Sequence, residues 1–545
     1  ERSQAITVAD ILQKTPGVMI TNNGGIGKTS SVYLRGTSTK DLLILIDGIR
    51  VGSATLGQTS VEELNLSQVE RIEIVRGPRS SLYGSDAAGG VIQIFTRRGM
   101  GKLTPSFAIS AGSDATSLAQ VGLQGGDQNR WFNMTASGIQ TDGFDAKTTG
   151  DNDDDGYHNQ GLQLKAGQRF GGGHEVEGFF SITDSENEYD GFSTDRDDTL
   201  TKVVGARGKV AVSDSWLVNV SAGRSWNKKK SFSGNVFKSR FETIRDSFTI
   251  QNDLLISDDN QLIFGVDYLN DQVESSNAYA ETERNNWAGF AQYQLALGQS
   301  DLQVSLRVDD NEQFGSHTTG GIAWGIPLND AIDFVASYGT AFKAPSFNDL
   351  YYPNSGNAAL VPEESYTYEL SLRGHHEGIN WHTSLYQTTF ENMIAWDNAT
   401  GTWIPSNINS ARIRGLEVSA DYQWQQWSLS GNVSFIDPEN RSGINKGNRL
   451  QRRADKIANI NLDRDFGALA LGATLHAESR RYTSDSNTGF LEGFGTVDLR
   501  AAYQLAPAWQ VRAKLSNLLD KQYQTVSGYN QAGSTALFTL AYQPR

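Results

Sequence analysis

From about residue 103 to its C-terminal end, the chain consists of short segments in which apolar and polar residues alternate. Examples are residues 131–137, 174–182, 216–222, 287–295 and 418–424. Apolar side chains two positions apart lie on one face of a β-strand, so each segment predicts a strand with one apolar and one polar face. Aromatic residues favour the segment ends, where a membrane barrel has its interfacial girdles.

The alternation favours a transmembrane β-barrel over a helical membrane protein. No segment reaches the roughly 18 apolar residues of a transmembrane helix. The longest strongly apolar run, residues 42–46, has the length of a strand. A mean hydropathy of -0.44 suits a water-soluble protein, and it equally suits a barrel whose alternate residues face a polar lumen. A soluble β-sandwich or propeller is the alternative, but no fixed sequence repeat supports it.

The connections between the predicted strands alternate in length. Tight turns occur at 213–214 and 506–508, whereas long acidic loops occur at 143–156 and 186–200. Short turns on one side and long loops on the other are typical of outer-membrane barrels. About 440 residues at roughly 20 per strand and connection predict about 22 antiparallel strands, which enclose a lumen wide enough to hold a plug.

The first hundred residues have a different pattern. A helical pattern at 8–14 ends at Pro16 and Gly17. Compact β-segments follow at residues 31–34, 42–46, 71–75 and 91–96. We therefore predict a mixed α/β domain at 1–100 and a membrane all-β barrel at 101–545.

Composition excludes several kinds of function. The net charge of -15 argues against nucleic acid as a partner, because binding it needs a basic surface. The absence of cysteine excludes zinc-thiolate sites and thiol catalysis. The seven histidines form no catalytic or metal-binding spacing, and the sequence has no nucleophile elbow or phosphate loop. We expect no enzyme, which argues against an outer-membrane lipase.

Several motifs resemble those of TonB-dependent outer-membrane transporters. Residues 42–50 and 69–94 resemble their plug domain. Residues 337–345, 362–364, 413–417 and 515–523 resemble four of their barrel motifs. The resemblance covers essentially the whole chain. It implies a plugged monomeric barrel in a Gram-negative outer membrane, among lipid and lipopolysaccharide, that imports a scarce ligand with energy from the TonB-ExbB-ExbD complex. A passive porin is the alternative, but a porin needs no plug.

Further stretches resemble the cobalamin (vitamin B12) transporters of that family. These stretches are residues 23–27, 33–37, 307–315 and 528–533. The resemblance implies cobalamin or a related corrinoid as the ligand. A ferric siderophore or a glycan remains the alternative.

A barrel closed by a plug leaves one extracellular bowl, whose floor is formed by the plug loop tips. We expect the ligand to contact two such tips and one late barrel loop, whose tyrosine ring stacks on a planar macrocycle. Plain turn residues are the alternative for any one of these positions. The expected contacts are Lys28, Thr29, Ser30, Thr55, Leu56, Gly57, Gln58 and Tyr529.

The acidic loops predict a cation site. Residues 151–156 begin like an EF-hand loop, but Leu162 occupies the position of its last glutamate. Carboxylates at this density repel one another unless a cation lies among them, and oxygen ligands suit Ca²⁺. A solvated acidic loop is the alternative. The family resemblance implies structural Ca²⁺ in two neighbouring extracellular loops, held by Asp145, Asp153, Asp155, Tyr189, Asp190 and Asp198.

Charged residues of the plug predict how it is held in a polar lumen. We expect Arg71, Glu73, Arg76 and Arg79 to pair with carboxylates and other polar groups of the barrel wall. Ordinary surface charges are the alternative. The chain begins at Glu1 with no signal peptide, and it lacks the Ton box that the resemblance implies, so we expect a processed or truncated N-terminus.

Overall fold

A computed structural model describes residues 3–397 and 404–544 and has a plug inside a barrel. The plug strands are β1 (Val18–Asn22), β2 (Ser30–Leu34), β3 (Leu42–Ile46), β4 (Ile49–Arg50), β5 (Val69–Arg76) and β6 (Gly90–Thr96). Its helices are α1 (Val8–Leu12), α2 (Ser80–Tyr83) and the 3-10 turns Thr39–Asp41, Val61–Glu63 and Leu66–Gln68. Strands β1 and β2 form a hairpin, and the other four form a mixed sheet of order β4-β3-β6-β5.

The barrel follows the plug in the chain. Its strands are β7 (Thr104–Gly112), β8 (Ser117–Gly126), β9 (Arg130–Thr141), β10 (Tyr157–Arg169), β11 (Glu175–Glu188), β12 (Arg196–Ser213), β13 (Trp216–Ser233), β14 (Val236–Ser257), β15 (Asn260–Ser275), β16 (Glu283–Leu297), β17 (Ser300–Asn311), β18 (Gly315–Asn329), β19 (Ile332–Lys343), β20 (Glu363–His376), β21 (Ile379–Asp397), β22 (Ile404–Trp424), β23 (Trp427–Asn440), β24 (Lys456–Asp465), β25 (Leu469–Glu478), β28 (Phe494–Ala506), β29 (Trp509–Ser516) and β30 (Thr535–Tyr542). The loops contain a short hairpin of β26 (Arg481–Tyr482) and β27 (Phe490–Leu491), helix α3 (Phe347–Tyr351) and the 3-10 turn Gly171–Gly173.

The barrel is closed and antiparallel, as predicted. Over the described residues it has 22 strands, and the last of them, β30, pairs with the first, β7. At the end of β30 the ring of Tyr542 stacks on Phe107 with centroids 5.4 Å apart, and it also contacts Trp509. Among the residues that the structure describes, no helix is long and apolar enough to span a membrane.

The alternation of β17 shows how each strand satisfies two environments. Leu306 and Val308 are 55% and 42% exposed on the outer surface. Arg307 and Asp309 are 3% and 0% exposed inside the barrel, where they form an ion pair at 2.8 Å. The apolar face therefore suits lipid, and the polar face suits contact with the plug.

One end of the barrel has tight turns and the other has long loops. The turns include 214–215 and 507–508, and the loops include 142–156, 344–362 and 517–534. The predicted loop at 186–200 is shorter, because β11 and β12 remain paired up to Glu188 and Arg196. The plug sheet ends at Thr96, the barrel begins at Thr104, and the domain boundary at residue 100 stays a prediction.

The strongest link between plug and barrel is made by Arg35, which follows β2. Its guanidinium donates two hydrogen bonds to Glu369 of β20, at 2.9 and 3.0 Å. It donates two more to Glu417 of β22, at 3.1 and 3.2 Å. The Arg35 side chain is 4% exposed, so these charge-assisted bonds are shielded from water.

A second link lies on another side of the plug. Asp47 follows β3 and is fully buried. Its carboxylate accepts hydrogen bonds from Lys165 of β10 at 2.8 Å and from Arg207 of β12 at 3.3 Å. The four-stranded sheet is therefore tied to the β10–β12 wall.

The predicted wall contacts of β5 are wrong for two of its residues. Arg71 and Glu73 are half exposed and pair with each other at 2.7 Å, because residues two apart share one face of a strand. Arg76 lies 4.0 Å from Glu417 and donates to the carbonyl of Pro16 at 3.1 Å. For Arg79, the structure places its backbone N–H on the carbonyl of Ala87, within the plug.

We predict that Arg35→Ala loosens the plug by about 3–5 kcal/mol, because it leaves Glu417 buried without a counter-charge. The matched control Arg71→Ala breaks an exposed pair and should cost about 1 kcal/mol or less. Urea unfolding of the plug, followed by a fluorophore on a cysteine introduced there, measures both values. Equal midpoints for the two variants would contradict the assigned anchor.

Candidate ligand-binding face and acidic loop cluster

The turn between β1 and β2 is the first plug tip at the loop end of the barrel. The side-chain oxygen of Asn22 accepts hydrogen bonds from the backbone of Gly24 and Gly25, at 2.7 and 2.5 Å. Its amide nitrogen donates to Ser30 Oγ at 3.0 Å. These bonds close the turn from within, and the glycines permit its left-handed backbone at φ of 112° and 105°.

Lys28 of this tip is 2% exposed and ties the plug to the barrel loops. Its Nζ donates to the carbonyl of Gly156 at 2.9 Å and to Asn187 Oδ1 at 2.8 Å. Burial lowers the pKa of Lys28 to about 8. Ser30 is also buried, whereas Thr29 is exposed. Of the three predicted contacts on this tip, Thr29 is the one that faces open space.

The second plug tip, residues 52–60, lies against helix α3. The carbonyl of Thr55 accepts a hydrogen bond from the Asn348 backbone at 3.0 Å, and Thr55 itself is buried. Leu56 is exposed, and Gly57 and Gln58 are half-buried. This tip therefore presents Leu56 to Gln58 outward and uses Thr55 for attachment.

Tyr529 lies in the loop 517–534 and is half-buried. It forms an isolated β-bridge with Lys147, and the neighbouring Asn530 backbone donates to the carbonyl of Ala146 at 2.8 Å. The structure thus brings the Tyr529 loop beside the acidic loop 142–156, to which the first plug tip is also bonded. The second tip belongs to a different part of the rim.

Five aspartates of two neighbouring loops form two overlapping clusters. In each, the carboxylate oxygens lie within 4.8 Å of one another, and Asp190 belongs to both. The clusters are Asp145, Asp155 and Asp190, and Asp151, Asp153 and Asp190. The prediction omitted Asp151, although it opens the acidic run 151–155 that signalled the site.

Two predicted metal ligands lie outside these clusters. The hydroxyl of Tyr189 is 2.8 Å from Thr194 Oγ1 and 3.0 Å from Asp197 Oδ1. Asp198 lies within β12 and is 3.4 Å from Arg196. Continued strand pairing carries Asp198 away from the loop in which the sequence placed it.

The clustered carboxylates destabilise one another's charge. Burial, a hydrogen bond with Asp151 and the proximity of Asp155 raise the pKa of Asp190 to about 7. Burial also raises the pKa of Asp155, whose Oδ2 accepts a hydrogen bond from the Ala146 backbone at 2.9 Å. Asp190 Oδ2 is enclosed and has no hydrogen-bond partner among the described atoms. Such a set of oxygens has the chemistry of a hard divalent cation site.

Family models match both parts of the chain. The model described as TonB-dependent Receptor Plug Domain matches residues 1–91, and that described as TonB dependent receptor-like, beta-barrel matches residues 103–518. The chain belongs to the TonB-dependent receptor family. It is an outer-membrane transporter of a Gram-negative bacterium, it takes a small-molecule ligand with energy coupled through TonB, and its family is one of transporters and not of enzymes. The monomeric state and contact with lipopolysaccharide stay predictions.

Relatives of this receptor match over nearly its whole length. Vitamin B12 transporter BtuB of Photobacterium profundum is 31% identical over 99% of the chain and 90% of the relative. The protein of the same name from Vibrio vulnificus is 31% identical over 96% of the chain and 87% of the relative.

Solved structures of TonB-dependent receptors share the fold at lower identity. The siderophore receptor PirA from Acinetobacter baumannii has a TM-score of 0.85 and 17% identity, covering 99% of this chain and 96% of that one. Copper transporter OprC has a TM-score of 0.86 and 17% identity, covering 98% and 95%. At this identity the likeness establishes the fold alone.

We predict that Gly57→Val displaces the second plug tip. Gly57 has a φ of 67°, where a β-branched residue is strained by about 1–2 kcal/mol. A Cβ there would also lie 3.2 Å from both Lys343 Nζ and Ser346 Cβ. Hydrogen exchange at residues 52–60 should accelerate in this variant. The control Gly48→Val has an equally left-handed backbone but no atom within 4 Å of its Cβ, and it should leave exchange in that loop unchanged.

Proposed function

We propose that this transporter imports cobalamin or a related corrinoid. The observation that carries the proposal is the full-length likeness to vitamin B12 transporters at 30–31% identity. The siderophore and metal receptors share the fold at 13–18% identity and do not favour one ligand over another. A passive porin is disfavoured, because Arg35 and Asp47 bond the plug to the wall within the lumen.

We assign two roles to the predicted ligand residues. Thr29, Leu56, Gly57, Gln58 and Tyr529 would contact the ligand, because they are exposed or half-buried on the loop face. Lys28, Ser30 and Thr55 would hold the tips in place, because they are buried in hydrogen bonds.

Equilibrium binding to the purified protein tests the ligand. Cyanocobalamin and cobinamide should bind saturably, and a ferric catecholate siderophore should not. Binding of the siderophore alone would replace the corrinoid with a siderophore as ligand. A ligand-free plugged transporter should also be nearly closed to ions in planar bilayers.

We predict that Tyr529→Ala weakens cyanocobalamin binding by about 1–3 kcal/mol, because a stacked aromatic surface is lost. The matched variant Tyr529→Phe retains the ring and should bind nearly as well as the unchanged protein. Isothermal titration compares the three. Unchanged affinity in Tyr529→Ala would place the ligand elsewhere.

We also propose that the aspartate clusters bind structural Ca²⁺. Support comes from the five convergent carboxylates and from the enclosed, unpartnered oxygen of Asp190. Bound Ca²⁺ would fix the loops 142–156 and 189–195 against each other. Because Lys28 and Tyr529 contact the first of these loops or residues beside it, its ordering would also position the ligand face.

The raised pKa of Asp190 gives the Ca²⁺ site a defined pH dependence. The proton on Asp190 must leave before a cation binds, so Ca²⁺ affinity should rise as the pH rises through about 7. Without Ca²⁺, the sign is opposite: the protonated group stabilises the loops at low pH, and this stability is lost as the pH rises through about 7.

Calorimetric Ca²⁺ titrations at pH 6 and pH 8 measure the first effect, and hydrogen exchange in chelator measures the second. Asp190→Asn, and Asp153→Asn combined with Asp155→Asn, should abolish Ca²⁺ binding. The control Asp198→Asn lies outside the clusters and should retain it. Ca²⁺ affinity that is independent of pH and of Asp190 would contradict the site.

A further inference from the structure

Two cavities separate the plug from one side of the barrel wall. The larger, about 600 Å³, is bordered by β7, β8, β9 and β30, and the smaller, about 280 Å³, by β25, β28, β29 and β30. A pocket of several hundred Å³ holds a drug-sized ligand. Neither cavity has an established role in ligand binding on the extracellular face.

The two cavities together span the plug from end to end. The larger reaches Gln124, close to the tight turn 127–129, and the smaller reaches Gly143 and Asp155 in the long loop 142–156. Both are lined by the same neck residues, which are Ile6, Thr7, Ile26, Glu62 and Leu537. Glu62 Oε2 is enclosed there without a hydrogen-bond partner among the described atoms.

The plug is bonded more firmly to the rest of the wall. Arg35 and Asp47 form their ion pairs with β10, β12, β20 and β22. Ser81 of α2 is hydrogen-bonded to Ser305 of β17 at 2.9 Å, and the Ala54 backbone donates to Thr243 of β14 at 2.9 Å. Strands β7, β8 and β30 border cavity instead.

The N-terminal segment of the plug passes through both cavities. Residues 3–7 line the larger, and Asp10 and Lys14 line the smaller. The Gln4 side chain is attached to the wall through a hydrogen bond of 3.0 Å to the carbonyl of Ala501. Withdrawal of this segment would remove Ile6 and Thr7 from the neck and join the cavities.

We propose that the ligand crosses the barrel along this wall, in a passage that opens when the N-terminal segment withdraws and the plug parts from β7–β9. The anchored side of the plug stays against β10–β22. The passage rests on the proposed import function but does not depend on which ligand is carried.

Two serine pairs provide matched staples, because the chain has no cysteine. Ser67 and Ser137 join the plug to β9 in the larger cavity, with their Oγ atoms 2.6 Å apart. Ser81 and Ser305 join it to β17 on the anchored side, at 2.9 Å. Cysteines at each pair lie close enough to form a disulfide.

Uptake of labelled cyanocobalamin by cells that carry each oxidised double variant tests the passage. The Ser67→Cys/Ser137→Cys disulfide should lower uptake by about tenfold or more, because it prevents the plug from parting, and reductant should restore it. The Ser81→Cys/Ser305→Cys disulfide should leave uptake within about twofold of the unchanged protein. Loss in both, loss in neither or the reverse order would overturn the passage.

A second measurement separates the passage from the identity of the ligand. Conductance of the same oxidised proteins in planar bilayers, opened with urea, requires no corrinoid. The Ser67–Ser137 staple should keep the channel closed at urea concentrations that open both the Ser81–Ser305 variant and the unstapled protein. Equal opening of the two stapled proteins would overturn the passage. Failure of corrinoid binding with unequal opening would overturn the ligand alone.

Discussion

The attachment of plug to barrel depends most on Arg35, whose guanidinium lies between Glu369 and Glu417. The two carboxylates come from separate wall strands, so one plug side chain fixes the plug against both. A buried ion pair is strong only while it is complete, because loss of one partner leaves an uncompensated charge. The plug therefore resists movement against this side of the wall, although it shares no extended apolar surface with it.

The same polar interface explains why the plug is held unevenly. Strand alternation gives the lumen hydrogen-bonding groups such as Arg307 and Asp309, and these bind the plug only where it offers a partner of matching charge or polarity. The plug offers such partners to β10–β22, through Arg35, Asp47 and Ser81. Towards β7, β8 and β30 it borders cavities. A lumen filled by an apolar core would have no comparable difference between its sides, since dispersion contacts are non-directional.

The loop face joins elements that are distant in the chain into one unit. Lys28 bonds the first plug tip to the loop 142–156 and to β11, and Tyr529 bridges the late loop to Lys147 of that same loop. The aspartate clusters lie within this unit, so a cation at Asp190 would order the barrel loops and the plug tip together. Cation binding and ligand binding are thereby linked through shared loop order.

The sequence by itself determined the plug and barrel, the strand number, the outward apolar faces and the strand β3, because these depend on local periodicity and turn residues. It also indicated four of the five clustered aspartates. Only the tertiary structure decided that Arg35 is an anchor whereas Arg71 pairs within its own strand, because the partners of Arg35 lie on remote barrel strands. It likewise placed Asp151 inside the cluster and Asp198 outside it. Pairing register decides where a strand ends and a loop begins, and that register is set by the neighbouring strands and not by the residues alone.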